Sequence, residues 1–483
     1  MTKSRDEAAV RNAGAQPVEE SQGFFRDWVV PIVLGLAIGA GLFKLWPVAR
    51  DAMRSKAGSV VASYDPEDDE ANDALAKELR GLGASARGDL VEAMRDLPPD
   101  AIDAKIWIAR QIAGEPWFDV ASLKEILKDA GASRQDRRAA ACALLDTQHK
   151  EVDTELVLPV LEEWLNDVSA PDRGLAVNRA DQMWRLGMLS SQWEARVKHA
   201  LVQLAKRSAT ADPERADLIF DERAFACLTL TLGLPDAEVK KTLWTIAKDD
   251  SDDDMPRINS IRALSEGGVL DAADVDDWAA VAKATSPVVR QTVADNLFRA
   301  TAPVYDKVLE PLQFDASPLA RTGALDSQVK RRRPTMLNRF DELMEDSYEW
   351  VRFDAMFAAG VFKHETENLP ARAAMILGVL ETSDDPVDVK GAVLALRMLT
   401  DETHGLLPTD VHLHEQTVEE VPLRAFMTDT AGRKDAADKW RAKFGAAAVW
   451  TTADRVKTLE KVLKHADPKN VERAQILLEK LKK

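Results

Sequence analysis

One segment gathers histidines and carboxylates closely enough for metal chemistry to be considered. Its members are Asp401, His404, Asp410, His412, His414 and Glu415. Imidazole nitrogens and carboxylate oxygens are ordinary zinc ligands, and His412 and His414 form a His-x-His pair. No HExxH motif and no Cys/His zinc spacing accompanies them, so we interpret the segment as a surface insertion. A bound metal or cofactor at this place stays open as the alternative.

Motifs for nucleophilic or phosphate chemistry do not occur in the sequence, which contains no GxSxG, no P-loop and no GxGxxG. Cys142 and Cys227 both lie in apolar stretches of helical character, as core residues do. They exclude a disulfide framework and a thiolate zinc cluster. The aspartate-rich run at 249–254 is typical of a solvated loop. We therefore predict a protein that is not an enzyme, with no catalytic, cofactor-binding or metal-binding residue.

Four consecutive cations stand at the predicted end of a helix that begins near Pro318. They are Lys330, Arg331, Arg332 and Arg333. Cations complement the partial negative charge of a helix C-terminus, which makes a solvated cluster the simplest interpretation. The functional alternative is a partner-binding contact for an acidic protein, an anionic lipid or a nucleic acid. A formal net charge of -17 disfavours nucleic acid, because binding to phosphates depends on lysine and arginine.

Acidic and basic residues also recur at a fixed spacing of six positions. The pairs are Asp217 with Arg223, Asp315 with Arg321, Asp346 with Arg352 and Asp384 with Lys390. Two further repeats depart from the pattern. Asp253 precedes Asn259, and Arg290 follows Ala284. An aspartate before a helix accepts from its free N–H groups, and the following arginine can bridge to a neighbouring turn, so each step is predicted to order one turn against the next.

These steps lie on a longer period. Pro256, Pro287 and Pro318 are each 31 residues apart. Alanine, leucine, glutamate, lysine and arginine dominate the sequence around them, and proline, glycine or aspartate interrupts it at short intervals. Self-similarity at this spacing indicates a stack of helix pairs, each too short to be stable alone.

The pattern resembles the HEAT family, especially its short bacterial form of roughly 30 residues per repeat. In that family the acid and the base form a hydrogen-bonded ladder between successive repeats, and the resemblance implies the same for the pairs above. It also implies an all-α superhelix whose extended surface acts as a scaffold for a protein partner. An alternative within the resemblance is an accessory or enzymatic protein, similar to HEAT-type lyases or hydroxylases, with a metal or cofactor near His404 to His414.

The resemblance also sets the domain boundaries that we expect. Repeats are clearest over 213–400 and degenerate over 72–212. Residues 401–437 form the irregular insertion. Residues 438–483, which end in two highly charged helices, are predicted to cap the solenoid.

An apolar run precedes the repeats. Residues 28–48 are interrupted only by Lys44, whose ammonium can extend to the membrane interface. Trp28 and Trp46 are 18 positions apart, which in a helix is about 27 Å and close to the thickness of the hydrocarbon layer. We predict a transmembrane helix. A cleaved signal peptide is disfavoured, because acidic residues precede the run and no small-x-small cleavage site follows it.

Gly35 and Gly39 form a GxxxG motif within this run, which would let two such helices approach closely in a homodimer. Glycine is also common in transmembrane helices for other reasons, so both interpretations stay open.

The segments beside the apolar run complete the prediction. Residues 1–27 are expected to be a disordered tail, and residues 49–71 a flexible acidic stalk. Cations after the run favour a cytoplasmic location for the repeats by the positive-inside rule, and export of the repeats is the alternative. The sequence thus predicts a single-pass membrane protein in which one transmembrane helix precedes an all-α, HEAT-like solenoid.

Overall fold

The structure, a computed structural model, describes residues 60–81, 87–114, 119–146, 153–170, 172–207, 216–402, 404, 429–445 and 449–482. Every regular element within these ranges is a helix, in agreement with the predicted all-α class. The predicted transmembrane segment, with Trp28, Gly35, Gly39, Lys44 and Trp46, lies outside the described residues. Within the ranges given above, no helix combines the length and the apolar character needed to cross a bilayer.

The helices divide into two compact units, one ending at Ala226 and the other beginning at Cys227. The described helices of the first unit are α1 (Asp69–Gly81), α2 (Arg87–Asp96), α3 (Ile102–Ala113), α4 (Val120–Lys128), α5 (Arg134–Asp146), α6 (Thr154–Asn166), α7 (Arg173–Arg185), α8 (Ser191–Ala205) and α9 (Ala216–Thr229), which crosses the division. Consecutive helices pack as pairs. Helices α3, α5 and α7 form one row, and α4, α6 and α8 form the other.

The second unit repeats this arrangement with greater regularity. Its described helices are α10 (Ala237–Lys248), α11 (Asp254–Glu266), α12 (Val275–Val281), α13 (Pro287–Asn296), α14 (Asp306–Leu312), α15 (Pro318–Lys330), α16 (Phe340–Met344), α17 (Glu349–Val361), α18 (Leu369–Thr382), α19 (Pro386–Thr400), α20 (Thr430–Phe444), α21 (Thr452–Val462) and α22 (Pro468–Leu481). Helices α11, α13, α15, α17 and α19 each pack on the next and form the second-helix row. Each of them also packs on the helix before it in the chain, which gives a HEAT-like solenoid of helix pairs.

Local signals place the starts of these second helices. Pro287 and Pro318 are the first residues of α13 and α15, where the missing N–H costs no hydrogen bond. Ser286 caps α13 by accepting a hydrogen bond from the backbone N–H of Val289. Asp385 caps α19 in the same way, accepting at 2.8 Å from a backbone N–H of the first turn. The register of each helix is therefore fixed close to where the sequence predicts it.

Apolar side chains between the helices form the core. In the second unit a buried cluster extends from Leu325 to Trp440. Small residues let second helices approach closely. A Cβ added to Gly391 of α19 would lie 2.8 Å from Cε of Met356 and 3.3 Å from Cα of Phe353, both on α17. The pair α17–α19 is therefore packed too tightly for a larger residue at this point.

Both cysteines are core residues of their units. Cys142 and Cys227 are buried and form no disulfide. Burial raises the pKa of the Cys142 thiol to about 11, so this side chain acts as a small apolar residue.

The C-terminal helices, for which a capping role stays a prediction, pack on the second unit in two places. Helix α20 packs on α18 and α19, with Trp440 fully buried. The hairpin α21–α22 instead returns to α16, in the middle of the second unit. Arg455 pairs with Glu345 at 2.6 Å, and Asn470 donates to Asp346 at 3.0 Å. The charged side chains of the hairpin therefore serve to dock it on earlier helices, a contact that no local sequence pattern indicates.

We expect Gly391→Ala to lower the free energy of unfolding by about 1 to 3 kcal/mol relative to Gly378→Ala. Both glycines lie inside helices, so each alanine gains about 0.5 to 1 kcal/mol of helix propensity. At Gly378 of α18 nothing lies within 4 Å of the added Cβ, whereas at Gly391 it meets the backbone of Phe353. Chemical denaturation of the full chain measures both variants. Equal stabilisation would contradict the close packing of α17 on α19.

Candidate functional site

Arg321 shows how one helix pair is joined to the next. Its side chain is fully buried on α15. Nη2 donates to Asp346 of the next repeat at 2.8 Å, and Nη1 donates to the backbone carbonyl of Asp315 at 2.8 Å. A carboxylate oxygen of Asp467, before α22, lies 3.0 Å from the same guanidinium. The buried charge is thus compensated by two carboxylates, and we term such a contact between consecutive pairs a rung.

Arg290 makes the same two kinds of contact one repeat earlier. Nε and Nη2 each lie 2.8 Å from a carboxylate oxygen of Asp315, and Nη1 donates to the carbonyl of Ala284 at 2.8 Å. The spacing of six positions therefore reflects a bond to a backbone carbonyl, which any residue can supply. The carboxylate at that position serves the arginine of the preceding repeat.

The two departures in the sequence pattern consequently concern one and the same rung, at which the usual base and acid are both replaced. In the rungs above, the acid lies 25 positions after the arginine that it accepts from. An acid at position 284 would therefore serve position 259, which holds asparagine instead of a base. On the same helix, the buried Arg257 donates within its own pair, with Nη2 2.5 Å from Asp250. Asp253, the predicted acid of this repeat, is exposed.

The rung from Arg352 ends on a different acid from the one that the spacing predicts. Its Nε and Nη2 lie 2.8 and 2.9 Å from the carboxylate of Asp388, and Nη1 donates to the carbonyl of Asp346 at 2.7 Å. Asp384 is exposed, and Lys390 is half-buried. Asp388 replaces Asp384 because it lies in the first turn of α19 and is buried against the neighbouring pair.

The sequence pattern did not predict the rungs of the first unit. Lys105 Nζ lies 2.7 Å from Asp136, and Arg138 Nη2 lies 2.6 Å from Asp167. Arg173 Nη1 lies 3.5 Å from the carbonyl of Asp167, six positions before it. The Asp167–Arg173 step carries the expected spacing and could have revealed these rungs. The intervals between successive bases here differ from 31 residues, so periodicity does not single them out.

Helix α9 supplies acceptors and donors to the helices before it. Glu222 pairs with the buried Arg173 of α7. Arg223 is buried and donates to the carbonyl of Ala205 at 3.1 Å. The side chain of Asp217, the predicted partner of Arg223, lies outside the described residues.

The basic run after α15 is partly internal. Arg331 is almost fully buried, with Nη1 2.7 Å from Asp306 and Nε 2.6 Å from the carbonyl of Ala300. Arg333 reaches the same carboxylate at 2.8 Å. These two arginines therefore hold the end of α15 against the start of α14, and a partner-binding role of the run stays a prediction.

The other two cations of the run point outward. Lys330 is exposed and pairs with Asp326 of its own helix at 2.6 Å. Arg332 is exposed, in a left-handed turn with φ of 55°. The exposed charge of the run is thus reduced to one lysine that is already paired and one arginine.

Of the three histidines considered as alternative metal ligands in the predicted insertion, the structure describes His404. Its ring packs edge-on against Trp440 with centroids 5.0 Å apart, and Nε2 lies 3.0 Å from Glu402. His412 and His414 lie outside the described residues. Among the side chains that the structure places, no three His, Cys, Asp or Glu residues converge as metal ligands.

Three acids lie along the second-helix row. They are Asp295 of α13, Asp326 of α15 and Asp354 of α17. Loss of hydration raises the pKa of Asp295 to about 6 and that of Asp354 to about 8, and the charge of Asp326 raises both while Lys330 lowers them. Asp295 is exposed to solvent on one side. Its pKa is raised because the neighbouring protein removes part of the water around its carboxyl group. Asp326 therefore lies close enough to Asp295 and Asp354 for its charge to act on both.

Comparison with solved structures relates the chain to helical proteins at low identity. It is similar to the karyopherin Kap121p bound to the SUMO protease Ulp1p, with 11% identity and a TM-score of 0.46 over 95% of this chain and 48% of that chain. The chain is also similar to Kap121p bound to Pho4p, with 14% identity and a TM-score of 0.44 over 95% of this chain and 56% of that chain. An engineered protein is similar with 15% identity and a TM-score of 0.33 over 84% of this chain and 99% of that chain.

These likenesses concern the helical fold alone. The chain spans about half the length of the karyopherin structures that it matches. No family model matches the chain, and no curated protein matches its sequence.

We expect Arg321→Met to lower the free energy of unfolding by about 3 to 5 kcal/mol, because the carboxylates of Asp346 and Asp467 would remain buried without their cation. Methionine keeps most of the apolar length of the side chain, so the loss reports the ion pairs. Arg332→Met is the matched control on an exposed residue and should change stability by less than about 0.5 kcal/mol. Equal midpoints for the two variants in urea would refute the role of the rung.

Asp354 should make stability fall as the pH rises. Its pKa is raised from the ordinary 3.8 to about 8 in the folded chain, so between these values the folded state binds more protons than the unfolded state. Asp354→Asn removes this titration and is expected to be more stable than wild type at pH 8, with a smaller difference at pH 4. Urea denaturation at both pH values measures it, with the exposed Asp276→Asn as control. A profile like that of wild type would contradict the assignment.

Proposed function

We propose that the protein is a non-catalytic scaffold that binds a protein partner on the second-helix row of its second unit, and that residues 28–48 hold it at a membrane. The observation that carries the first part is the set of buried rungs at Arg290, Arg321 and Arg352. Each guanidinium donates both to its own pair and to an acid of the next pair. Consecutive second helices are therefore held in one register.

Second helices that are fixed relative to one another favour the binding of a partner for an energetic reason. A partner that docks on fixed helices does not have to order them, so less of the interaction energy is lost on association. Solenoids of helix pairs present such an extended surface along one row of helices. In the second unit, α13, α15 and α17 form part of such a row, and each of them carries exposed or half-exposed side chains.

The membrane part of the proposal rests on the sequence of residues 28–48. The run is long enough to cross a bilayer, with Trp28 and Trp46 at the two interfaces. Gly35 and Gly39 would form the contact of two such helices in a homodimer. The cations that follow the run favour the cytoplasmic side for the helical units by the positive-inside rule, with export as the alternative.

A photo-crosslinking amino acid at Thr322 tests the binding surface. Thr322 lies one turn before Asp326 on the same side of α15, and the full chain would be irradiated in membranes of its own cell. We expect a discrete heavier adduct from position 322. The same substitution at the exposed Glu310 of α14, on the other helix row, should give little or none. Adducts of equal yield at both positions, or none at either, would contradict a partner on the second-helix row.

The tether is tested in the same membranes by deleting residues 28–48. The full chain should stay in the pellet after a high-salt and carbonate wash, and the deleted chain should appear in the supernatant, because only the apolar run would hold it. Release of the full chain by the wash would reject the tether and leave the binding surface unaffected. Replacing Gly35 and Gly39 by leucine should reduce self-association of the full chain in membranes.

A further inference from the structure

One side of α17 carries three apolar side chains that are not members of the buried cluster of the second unit. Trp350, Phe357 and Val361 lie seven and four positions apart, on one side of the helix. Val361 is 37% exposed, the two aromatic side chains are half-buried, and none of the three takes part in the buried cluster of the second unit. Phe353 extends the strip sideways, with its ring centroid 5.5 Å from that of Trp350 and 6.4 Å from that of Phe357. The result is an aromatic strip that is partly accessible to solvent, in which Phe353 also packs against the buried cluster.

Asp354 stands in the middle of this surface. It lies four positions after Trp350 and three before Phe357, so all three share one side of α17. It forms no hydrogen bond and no ion pair with any residue that the structure describes, in contrast to the acids of the rungs. Its environment removes part of its hydration, which raises its pKa. Lys330 acts on this carboxyl group only from beyond ion-pair distance, so its charge is compensated only in part.

The neighbouring helices extend the same character. Leu319 at the start of α15 and Val288 at the start of α13 are 45% and 46% exposed. Asp326 and Asp295 add acidic groups on the same two helices, and the charge of Asp326 raises the pKa of both Asp295 and Asp354. Lys330 offsets part of this charge, through its ion pair with Asp326. Each of three consecutive second helices thus carries both an accessible apolar side chain and an acidic side chain.

We propose that the α17 face, defined as Trp350, Asp354, Phe357 and Val361 with Asp326 beside them, binds a segment of a partner protein that carries lysine or arginine between large apolar side chains. The inference rests on the proposed scaffold function and specifies its ligand. A cation of the segment would favour the ionised form of the Asp354 carboxyl group, which burial keeps largely protonated in the free chain, and would also meet the face of the indole ring beside it. The apolar side chains of the segment would cover Phe357 and Val361. Anionic lipids and nucleic acids are disfavoured, because the carboxylates repel phosphate.

Binding of a defined probe tests this. The full chain is placed in nanodiscs of zwitterionic lipid, and a dye-labelled 12-residue peptide of alternating Lys-Leu and Lys-Phe is titrated by fluorescence anisotropy, with empty nanodiscs as background. Two matched peptides replace every lysine by glutamate or every apolar residue by serine. We expect the Lys-Leu-Lys-Phe peptide to bind at least about fivefold more tightly than either, since both halves of the face contribute.

Variants then localise the site. Asp354→Asn and Phe357→Ala should each weaken binding by about fivefold or more, as for residues at the centre of an interface. The paired control Asp276→Asn with Glu310→Gln removes exposed acidic groups from first helices and should leave affinity unchanged. Asp354→Asn keeps the shape of the side chain, so it separates lost binding from lost folding, which far-ultraviolet circular dichroism checks.

Two outcomes would overturn the inference: equal affinity for all three peptides, or equal loss in the control and the α17 variants. Either would leave the proposed scaffold function intact if position 322 still crosslinks a partner. Loss of that crosslink, with peptide binding retained, would reject the scaffold function and not the chemistry of the face.

Discussion

A guanidinium buried between two helix pairs has to find acceptors on both of them, and the regularity of the second unit follows from this requirement. Removing a charged group from water is costly unless oxygens surround it. Arg321 meets four such groups, namely the carboxylates of Asp346 and Asp467 and the carbonyls of Asp315 and Ala316. Because these acceptors belong to different elements, the arginine can be satisfied only when the elements take one relative position.

The rungs also explain which positions tolerate change. The contact within a pair uses a backbone carbonyl, so Ala284 replaces an acid there without loss of the bond to Arg290. The contact to the next pair uses a carboxylate, and this carboxylate has to reach the guanidinium from wherever the next helix places it. Asp388 does so from the first turn of α19. The acid can therefore shift along the chain, while the arginine stays at its position in the helix.

The distribution of charge follows the same division between inside and outside. Some cations that the sequence suggests to be exposed form ion pairs inside the molecule. Arg331 and Arg333, for example, both pair with Asp306. Acids that look like solvated surface lie in two groups. One group is compensated in the rungs, and the other, with Asp354, lies among aromatic side chains and is compensated only in part. A net charge of -17 is consequently not spread evenly over the molecule, and binding specificity follows the local arrangement of acids more closely than the total.

The amino-acid sequence by itself determined the all-α class, the helix starts at Pro287 and Pro318, and the six-position step, because capping, proline chemistry and the arginine-to-carbonyl bond act within a few residues of each other. Tertiary structure decided the rest. The choice of Asp388 over Asp384, the internal use of the basic run, the docking of α21–α22 on α16 and the aromatic surface around Asp354 all depend on contacts between residues far apart in the chain. No local spacing encodes such contacts, because they arise only when the rungs have placed one helix pair against the next.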